Sequence, residues 1–361
     1  MNKVLQYFKD IHEEKVLVKD ITVYGWQNEY KHLLVSSLSK YLFEDLKITE
    51  NIAPLNDINR PGKVLEKKYI TVHDTGDADP LHTAKFWSET VYNHAWEQYP
   101  GTISTYACSY QYVVDNEGIY HNIPDNEVAY HAGDGTKFEY ALYPTGVKGN
   151  EEGIDLSISE DGYYEINGKK TKVLAPRFYV EKNGEVKEDR VATKEDINDD
   201  GILCKLIDGE YYIGETHFNQ TYKKIANRGG NNNSIGIESC ITDDTDLYYT
   251  WQKTAKLVAL LMEQNSLTID DVKQHHYFSG KNCPQTMRMN GMWPHFKELV
   301  KVEYQILQFE KEGYEIELLV EDERVKENGR IKEANNNSSI SFVIKTTKDG
   351  VSEELHLSKK F

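Results

Sequence analysis

Two short apolar runs, each ending on a residue with useful chemistry, constrain the fold of this chain more than any other feature. They are Lys68-Tyr69-Ile70-Thr71-Val72-His73 and Ser234-Ile235-Gly236-Ile237-Glu238. Each run is short, apolar and preceded by turn-forming residues, which is typical of a buried strand. The sequence therefore predicts two buried strands that carry His73 and Glu238 at or near their ends.

Hydrophobic spacing predicts further elements around these strands. Apolar residues recur at three- to four-residue intervals over residues 83–93 and 249–264, which favours amphipathic helices. Residues 293–304 are predicted to form a closing helix. A hairpin is predicted over residues 110–123, because the run Asp115-Asn116-Glu117-Gly118 supplies the positive backbone angles that a tight reversal needs.

Composition shifts along the chain predict its organisation. Residues 1–50 are predicted to be largely helical. Residues 51–303 form the main domain, into which a β-rich insertion of about 134–233 is placed by its Gly, Asn, Asp and Tyr content. Residues 304–361 alternate apolar and polar positions between turns at Asn328-Gly329 and Asp349-Gly350, which favours a small all-β, immunoglobulin-like sandwich.

Charge and cysteine usage narrow the functional classes. Of 361 residues, Lys and Arg number 42 and Asp and Glu number 59, so the net charge is −17. This acid excess argues against a nucleic-acid binder. No window approaches the roughly 18 apolar residues of a membrane helix, and residues 1–7 lack the pattern of a secretory signal. Four cysteines in so long a chain do not form a disulfide framework.

The strongest chemical signal is the run His275-His276-Tyr277-Phe278-Ser279-Gly280-Lys281-Asn282-Cys283-Pro284. An imidazole and a thiol stand eight residues apart in it, and His73 could complete a three-ligand site. Zinc accepts His nitrogen and Cys sulfur, and three protein ligands leave a position open for water, as in catalytic sites. A buried cysteine beside an unrelated loop histidine is the simpler alternative for the spacing alone.

Five segments in order resemble the zinc-dependent N-acetylmuramoyl-L-alanine amidases, the type shared by phage lysozyme-type amidases and animal peptidoglycan recognition proteins. The resemblance covers roughly residues 59–302 without the insertion. Its segments are Tyr69-Ile70-Thr71-Val72-His73-Asp74-Thr75, Ser109-Tyr110-Gln111-Tyr112-Val113-Val114, Ala129-Tyr130-His131-Ala132-Gly133, Ser234-Ile235-Gly236-Ile237-Glu238 and the run from His275 to Pro284. It implies an α/β (α+β) domain with a central mixed β-sheet flanked by helices.

The resemblance also implies the ligands of Zn²⁺, which are His73, His275 and Cys283. His276 is an alternative to its neighbour, but the eight-residue spacing favours His275. Where other branches of the family use Asp as the third ligand, this chain has Cys283.

Three catalytic residues follow from the same resemblance. Glu238 would act as general base and acid, while Lys281 and Tyr110 would stabilise the oxyanion. Each has a structural alternative: orientation of a metal ligand for Glu238, a surface charge for Lys281 and core packing for Tyr110. His131 is expected to line the substrate groove or to stand behind a ligand.

One motif is discounted. Residues 196–201 resemble the first half of a calcium loop, but the twelfth position of that loop is Ile207 instead of the required Glu. Cys108 and Cys240 are read as small buried hydrophobic residues, with a disulfide as the minor alternative.

The expected function is hydrolysis of the amide between N-acetylmuramic acid and the L-alanine of the stem peptide, with water activated by zinc. The alternatives are a non-catalytic peptidoglycan-binding module on the same fold and a zinc hydrolase of another amide. Peptidoglycan is the expected partner, with no nucleic acid and no membrane insertion, and the chain is expected to be a monomer acting on the bacterial cell wall. The net charge of −17 argues against wall targeting by bulk attraction to anionic polymers.

Overall fold

The computed structural model describes most of the chain. The described residues are 1–14, 16–23, 29–36, 40–93, 108–133, 142–149, 155–175, 177–182, 185–191, 204–214, 230–242, 246–279, 281–321, 323 and 339–360. Their α-helices are α1 (Lys3–Glu14), α2 (Ala84–Asn93), α3 (Leu247–Asn265), α4 (His275–Ser279), α5 (Gln285–Met289) and α6 (Trp293–Lys311). Their strands are β1 (Val16–Val23), β2 (Glu29–Ser36), β3 (Thr49–Glu50), β4 (Tyr69–Asp74), β5 (Tyr112–Val114), β6 (Ile119–His121), β7 (Leu142–Lys148), β8 (Leu156–Ile158), β9 (Tyr163–Ile166), β10 (Lys169–Leu174), β11 (Arg177–Lys182), β12 (Glu185–Val191), β13 (Cys204–Ile207), β14 (Glu210–Gly214), β15 (Ser234–Ser239), β16 (Val272–Gln274), β17 (Glu315–Glu321), β18 (Ser339–Lys348) and β19 (Val351–Lys360).

A six-stranded mixed sheet forms the centre of the molecule, with strand order β16-β4-β15-β5-β6-β3. Strands β16, β4, β15 and β5 run parallel. Strand β6 returns antiparallel to β5, and β3 pairs parallel with β6. The expected mixed sheet is confirmed, as is the hairpin, whose turn is closed by a 3.0 Å bond from the Asp115 amide to the Gly118 carbonyl.

One face of this sheet carries the main hydrophobic core. Successive strand residues point to opposite faces, so Ile70 and Val72 of β4 lie beside Ile235 and Ile237 of β15 in one cluster. Helices α3 and α6 cover that face, and Trp251 of α3 is buried within it. The predicted helices over 83–93 and 249–264 are confirmed as α2 and α3.

The opposite face carries the polar ends of the same strands. The parallel register pairs Glu238 of β15 with His73 of β4 and with Val113 of β5. Helix α2 covers part of this face through Ala84 and Val91, which pack in a second cluster. The sheet is therefore flanked by helices on both faces, while the strand ends that carry His73 and Glu238 meet at its carboxyl edge.

The predicted β-rich insertion is confirmed for its described residues. Strands β7 to β14 form small antiparallel sheets with their own core, to which Tyr164, Tyr211 and Ile213 contribute. At the base of this region, the Gly230 amide donates a 2.6 Å hydrogen bond to the Ala132 carbonyl. The chain therefore leaves the main domain and re-enters it at neighbouring positions. Residues 196–201, the discounted calcium-like loop, lie outside the described residues.

The helical expectation for residues 1–50 is right for α1 and wrong for residues 16–23 and 29–36. These residues form strands β1 and β2, which pair antiparallel. The apolar run in residues 33–38 suits a helix or a buried strand equally well by periodicity. Backbone pairing with β1 decides the conformation in favour of the strand.

The described C-terminal strands form one antiparallel sheet, β17-β18-β19. The predicted turn at Asp349-Gly350 is confirmed, since both residues have positive φ, 53° and 77°, as the favoured two-residue hairpin turn requires. Helix α1 packs on this sheet, with Leu5 and Phe8 in one cluster with Phe342. The turn predicted at Asn328-Gly329 lies outside the described residues.

Helix α6 runs to Lys311, beyond residue 304, where the change in sequence character predicts a domain boundary. Its last turns are buried with α1 and the C-terminal sheet through Val302, Ile306 and Phe309. No described helix has both the length and the apolar composition needed to cross a bilayer.

Candidate metal centre

The carboxyl edge of the central sheet brings two histidines together. His73 lies near the end of β4, and His275 follows directly after β16. Strand β16 pairs in parallel with β4, with Gln274 opposite Val72, so the residues after both strands meet. The two Nδ1 atoms of His73 and His275 lie 3.1 Å apart. This contact joins positions that are distant in sequence through the register of two short strands.

Cys283 completes the cluster from the loop that follows α4. Its Sγ lies 3.6 Å from Nδ1 of His73. The loop is held by the Cys283 amide donating to the Lys281 carbonyl at 2.7 Å and by the His276 amide donating to the Cys283 carbonyl at 3.1 Å. The side chain of His276 is not in the cluster; the donor atoms of His73, His275 and Cys283 all lie within 4.8 Å of one another.

Asp74 fastens this loop to the sheet. Its Oδ2 accepts a 2.7 Å hydrogen bond from the amide of Thr286, at the start of α5. Burial raises the pKa of the Asp74 carboxyl to about 6, against the lowering effect of the Thr286 amide. The residue next to His73 thus positions the chain that follows Cys283, a role that the sequence did not indicate.

The three side chains fit a zinc ion. Zinc–nitrogen bonds of about 2.0–2.1 Å and zinc–sulfur bonds of about 2.3 Å place the donors of a tetrahedral site roughly 3.3–3.6 Å apart. The observed separations of 3.1 Å and 3.6 Å are close to that range. Two imidazoles and one thiol are also the donor set that zinc prefers, and all three residues are buried.

Electrostatics at the cluster favour ligand lone pairs over bound protons at the histidines. Burial is the main cause that holds the pKa values of His73 and His275 well below the ordinary value, with neighbouring positive groups adding to it. Both rings are therefore neutral, as metal ligation requires. Burial, aided by Asp74, raises the pKa of the Cys283 thiol, so this group gives up a proton when it binds a metal.

Glu238 points at the same cluster from β15. Its Oε1 lies 3.8 Å from Nδ1 of His73, and its Oε2 is buried without a hydrogen-bond partner among the described residues. Burial raises the pKa of Glu238 to about 8, while the Lys281 ammonium lowers it and Asp74 raises it further. A buried carboxylate oxygen without a partner is costly, and such atoms are common where a substrate or water is bound.

Lys281 supplies the positive charge of the site. Burial lowers its pKa, but the acidic groups around it, first Cys283 and then Glu238, outweigh that effect and raise the pKa above the ordinary value. Lys281 therefore stays an ammonium at neutral pH. Its catalytic role stays a prediction.

The described hydrogen bond of the Tyr110 hydroxyl is to the backbone of α2. That hydroxyl donates to the Trp87 carbonyl at 3.2 Å, and the ring packs with Ala84 and Val91 of α2. Tyr110 lies on the same face of the sheet as Glu238, but its described contacts match the packing alternative rather than oxyanion stabilisation.

His131 stands behind a ligand. Its Nδ1 lies 3.0 Å from Nε2 of His73, and its own Nε2 lies 3.2 Å from the Ser234 carbonyl oxygen. Both ring nitrogens thus face protein atoms, so the described geometry leaves neither one for a substrate. Of the two roles expected for this residue, its contacts fit support of a ligand.

The cysteines outside the cluster differ in their exposure to solvent. All four cysteines are free, so the minor disulfide alternative is wrong, and Cys240 is buried as expected. Cys108 is exposed, which corrects its reading as a buried hydrophobic residue. Cys108 lies outside the strands, directly before the buried run that begins at Ser109.

Comparison with known proteins identifies the family of the chain. The family model described as N-acetylmuramoyl-L-alanine amidase matches residues 63–172 and 156–286. These segments together span more than half of the chain and contain His73, Glu238, His275 and Cys283. The chain belongs to this amidase family.

The relatives of the chain are N-acetylmuramoyl-L-alanine amidases by name. It is 30% identical to N-acetylmuramoyl-L-alanine amidase CwlH of Bacillus subtilis (strain 168) over 138 residues, which are 38% of this chain and 48% of that protein. It is 21% identical to N-acetylmuramoyl-L-alanine amidase XlyA of the same strain over 252 residues, which are 70% and 50% of the two chains. The chain thus spans about half the length of these curated relatives.

Solved structures also match parts of the chain. The catalytic domain of XlyA matches with a TM-score of 0.40 and 21% identity, covering 71% of this chain and 99% of that one. The Staphylococcus aureus hydrolase AmiA in complex with its ligand matches with a TM-score of 0.39 and 12% identity, covering 75% and 89%.

Proposed function

We propose that the protein is a zinc-dependent peptidoglycan amidase that hydrolyses the bond between N-acetylmuramic acid and the L-alanine of the stem peptide. The observation that carries the proposal is the buried cluster of His73, His275 and Cys283 beside the carboxylate of Glu238. Family membership supports the choice of substrate, since the matched model is that of N-acetylmuramoyl-L-alanine amidases.

The roles of the side chains follow from their chemistry. His73, His275 and Cys283 would hold zinc, which when bound supplies a Lewis acid for the scissile carbonyl and lowers the pKa of water. Glu238 takes a proton from the attacking water at its carboxylate and returns it to the leaving amine. Lys281 supports the carboxylate form, because its ammonium lowers the pKa of Glu238.

Lys281 has a second role in this proposal. Its ammonium would stabilise the negative charge that develops on the carbonyl oxygen during attack. Tyr110 is assigned no part in the chemistry, because its hydroxyl already donates to the Trp87 carbonyl. His131 is assigned no contact with the substrate.

Digestion of purified peptidoglycan tests this proposal. The full chain loaded with zinc should release stem peptides that begin with a free L-alanine amine, detected by amino-terminal labelling and mass spectrometry. Chelated protein and the Cys283→Ser variant should release none. New reducing sugar ends or a different amino terminus would show another hydrolase, and wall binding without cleavage would show the binding module.

The wider setting is proposed from the same substrate. We infer action at the bacterial cell wall, reached by secretion or by release from a phage-infected cell, and function as a monomer. The immunoglobulin-like nature of residues 304–361 stays a prediction, because the described strands there form a single sheet. Light scattering on the purified full chain tests the monomer, with a dimer mass as the contradicting result.

A further inference from the structure

A chain of polar contacts runs from the backbone of β15 through two histidines to the cluster. The Ser234 carbonyl oxygen lies 3.2 Å from Nε2 of His131, and Nδ1 of His131 lies 3.0 Å from Nε2 of His73. Nδ1 of His73 then faces His275 and Cys283. The three links are consecutive, so the proton positions on both rings depend on one another.

The Ser234 carbonyl determines which nitrogen donates and which accepts in each of these hydrogen bonds. A carbonyl oxygen can only accept a hydrogen bond, so Nε2 of His131 must carry a proton and donate to Ser234. In the neutral ring Nδ1 of His131 is then a lone pair, and it accepts from the Nε2–H of His73. That proton on Nε2 leaves Nδ1 of His73 bare, and Nδ1 is the atom in the cluster.

The surroundings of His131 hold its ring in this position. The side-chain Oδ1 of Asn231 accepts from the amides of both His131 and Ala132, at 2.8 Å and 2.6 Å. The ring lies directly over Gly236 of β15, where a Cβ would approach its Cγ and Cδ2 to 2.6 Å. Glycine at position 236 thus makes room for the imidazole in the middle of a buried strand.

We propose that His131 is a positioning residue that selects the Nε2–H tautomer of His73 and so presents Nδ1 of His73 as a ligand. The metal that Nδ1 of His73 would bind is the Zn²⁺ of the function proposed above. This inference therefore rests on that proposed function. Metal-bound histidines commonly donate their other N–H to a carboxylate, a carbonyl or water, and loss of such a partner typically weakens metal binding by about 10–100-fold. Here a second histidine relays that contact to a backbone carbonyl.

Two substitutions separate this role from simple packing. In His131→Asn, the side-chain Oδ1 falls near the position of Nδ1 and can still accept from His73. In His131→Gln, the side-chain amide falls near Nε2 and can still donate to Ser234, but no acceptor remains for His73. We expect His131→Asn to bind zinc within a few-fold of the native chain and His131→Gln to bind about 10–100-fold more weakly.

The measurements use Zn²⁺ alone and do not depend on peptidoglycan. Zinc affinity is measured by competition with a chromogenic chelator, and the tautomer of His73 is read from its ring ¹⁵N chemical shifts in the metal-free protein. His121→Gln serves as the matched control for loss of a histidine elsewhere. Thermal denaturation of each variant shows that it is folded, and Gly236→Ala, which displaces the ring, should resemble His131→Gln.

The outcomes are distinct for the two proposals. Equal zinc affinities for the native chain, His131→Asn and His131→Gln would overturn the inference about His131, as would an Nδ1–H tautomer of His73. A native chain that binds no zinc would overturn the proposed function itself. A native chain that binds zinc tightly and loses affinity only in His131→Gln and Gly236→Ala supports the inference whatever its activity on cell walls.

Discussion

Glu238 and His73 are directly paired on neighbouring parallel strands, with the carboxylate Oε1 3.8 Å from the imidazole Nδ1. The distance between the proposed proton acceptor and the proposed metal ligand is therefore set by the register of the sheet. A slip of one residue would turn one of the two side chains to the opposite face. The same register buries Ile70 and Ile237, so the core that stabilises the fold also holds the site geometry.

Glu238→Gln tests the proton-transfer role. The amide keeps the shape of the side chain but cannot accept the proton, so we expect amide cleavage to fall about 10²–10⁴-fold. Zinc content, measured by elemental analysis, should stay near one per chain because Glu238 is not a ligand. Glu317→Gln on the C-terminal sheet is the matched control and should leave the rate unchanged. A Glu238→Gln rate within threefold of the native rate would contradict the role.

Removal of zinc tests its coupling to stability. A ligand that binds only the folded state stabilises it by about 2.7 kcal/mol when present at 100 times its Kd. We therefore expect EDTA to lower the melting temperature of the native chain. Cys283→Ser should melt at a lower temperature than the native chain in zinc, and EDTA should change it little. The same EDTA shift in Cys283→Ser as in the native chain would exclude Cys283 as a ligand.

Leu5→Ala tests the packing of α1 on the C-terminal sheet. Leu5 is 1% exposed and lies in the cluster with Phe8, Phe309 and Phe342. Truncation leaves a cavity, and we expect the free energy of unfolding to fall by about 2–5 kcal/mol. Leu319→Ala on β17 removes the same atoms from a side chain that is 45% exposed, so it should cost much less. Equal losses from the two variants in urea denaturation would contradict this packing.

His121 predicts a pH dependence of stability. Its Nδ1 lies 2.9 Å from Glu50 and its Nε2 lies 3.4 Å from Asp125. Burial lowers the pKa of His121, but the two carboxylates outweigh burial and raise the pKa above the ordinary value. The stabilisation is thus complete below the unfolded-state pKa of about 6.5 and is lost as pH rises through the higher folded-state value.

Urea denaturation of the native chain and His121→Gln at several pH values measures this effect. The native chain should exceed the variant in stability by more at pH 5.5 than at pH 9, because the charged ring is paired only at the lower pH. Comparing the two proteins at each pH cancels the other groups that titrate in this range. A stability difference between the two proteins that grows with pH would contradict this prediction.

Local patterns were sufficient for the elements that build the site. The apolar runs ending near His73 and Glu238 became adjacent strands β4 and β15, and the helical spacing around Trp251 became α3. The family resemblance supplied the order of the ligands. Neither source could show that His73 and His275 meet at 3.1 Å, because that contact depends on the register of β16 against β4.

The errors have physical causes as well. The run of apolar residues in 33–38 fits a helix or a strand, and pairing with β1 places its described residues, 33–36, in β2. The role expected for Tyr110 stays a prediction, and no local pattern could show that its hydroxyl donates to the Trp87 carbonyl of α2. The role of Gly236 could have been inferred from the sequence. It lies two residues before Glu238 on the same face of a predicted strand, and glycine inside a strand often marks a place where another group approaches the backbone closely.

The bond between Gly230 and Ala132 makes the insertion a loop that is closed at its base. Closing a flexible loop costs entropy that grows only with the logarithm of its length, about 0.6 kcal/mol for each doubling. The stability of the main domain therefore depends only weakly on the number of residues between these two positions. The β7–β14 region could therefore be exchanged for a shorter linker or for another folded module while the sheet register stays intact.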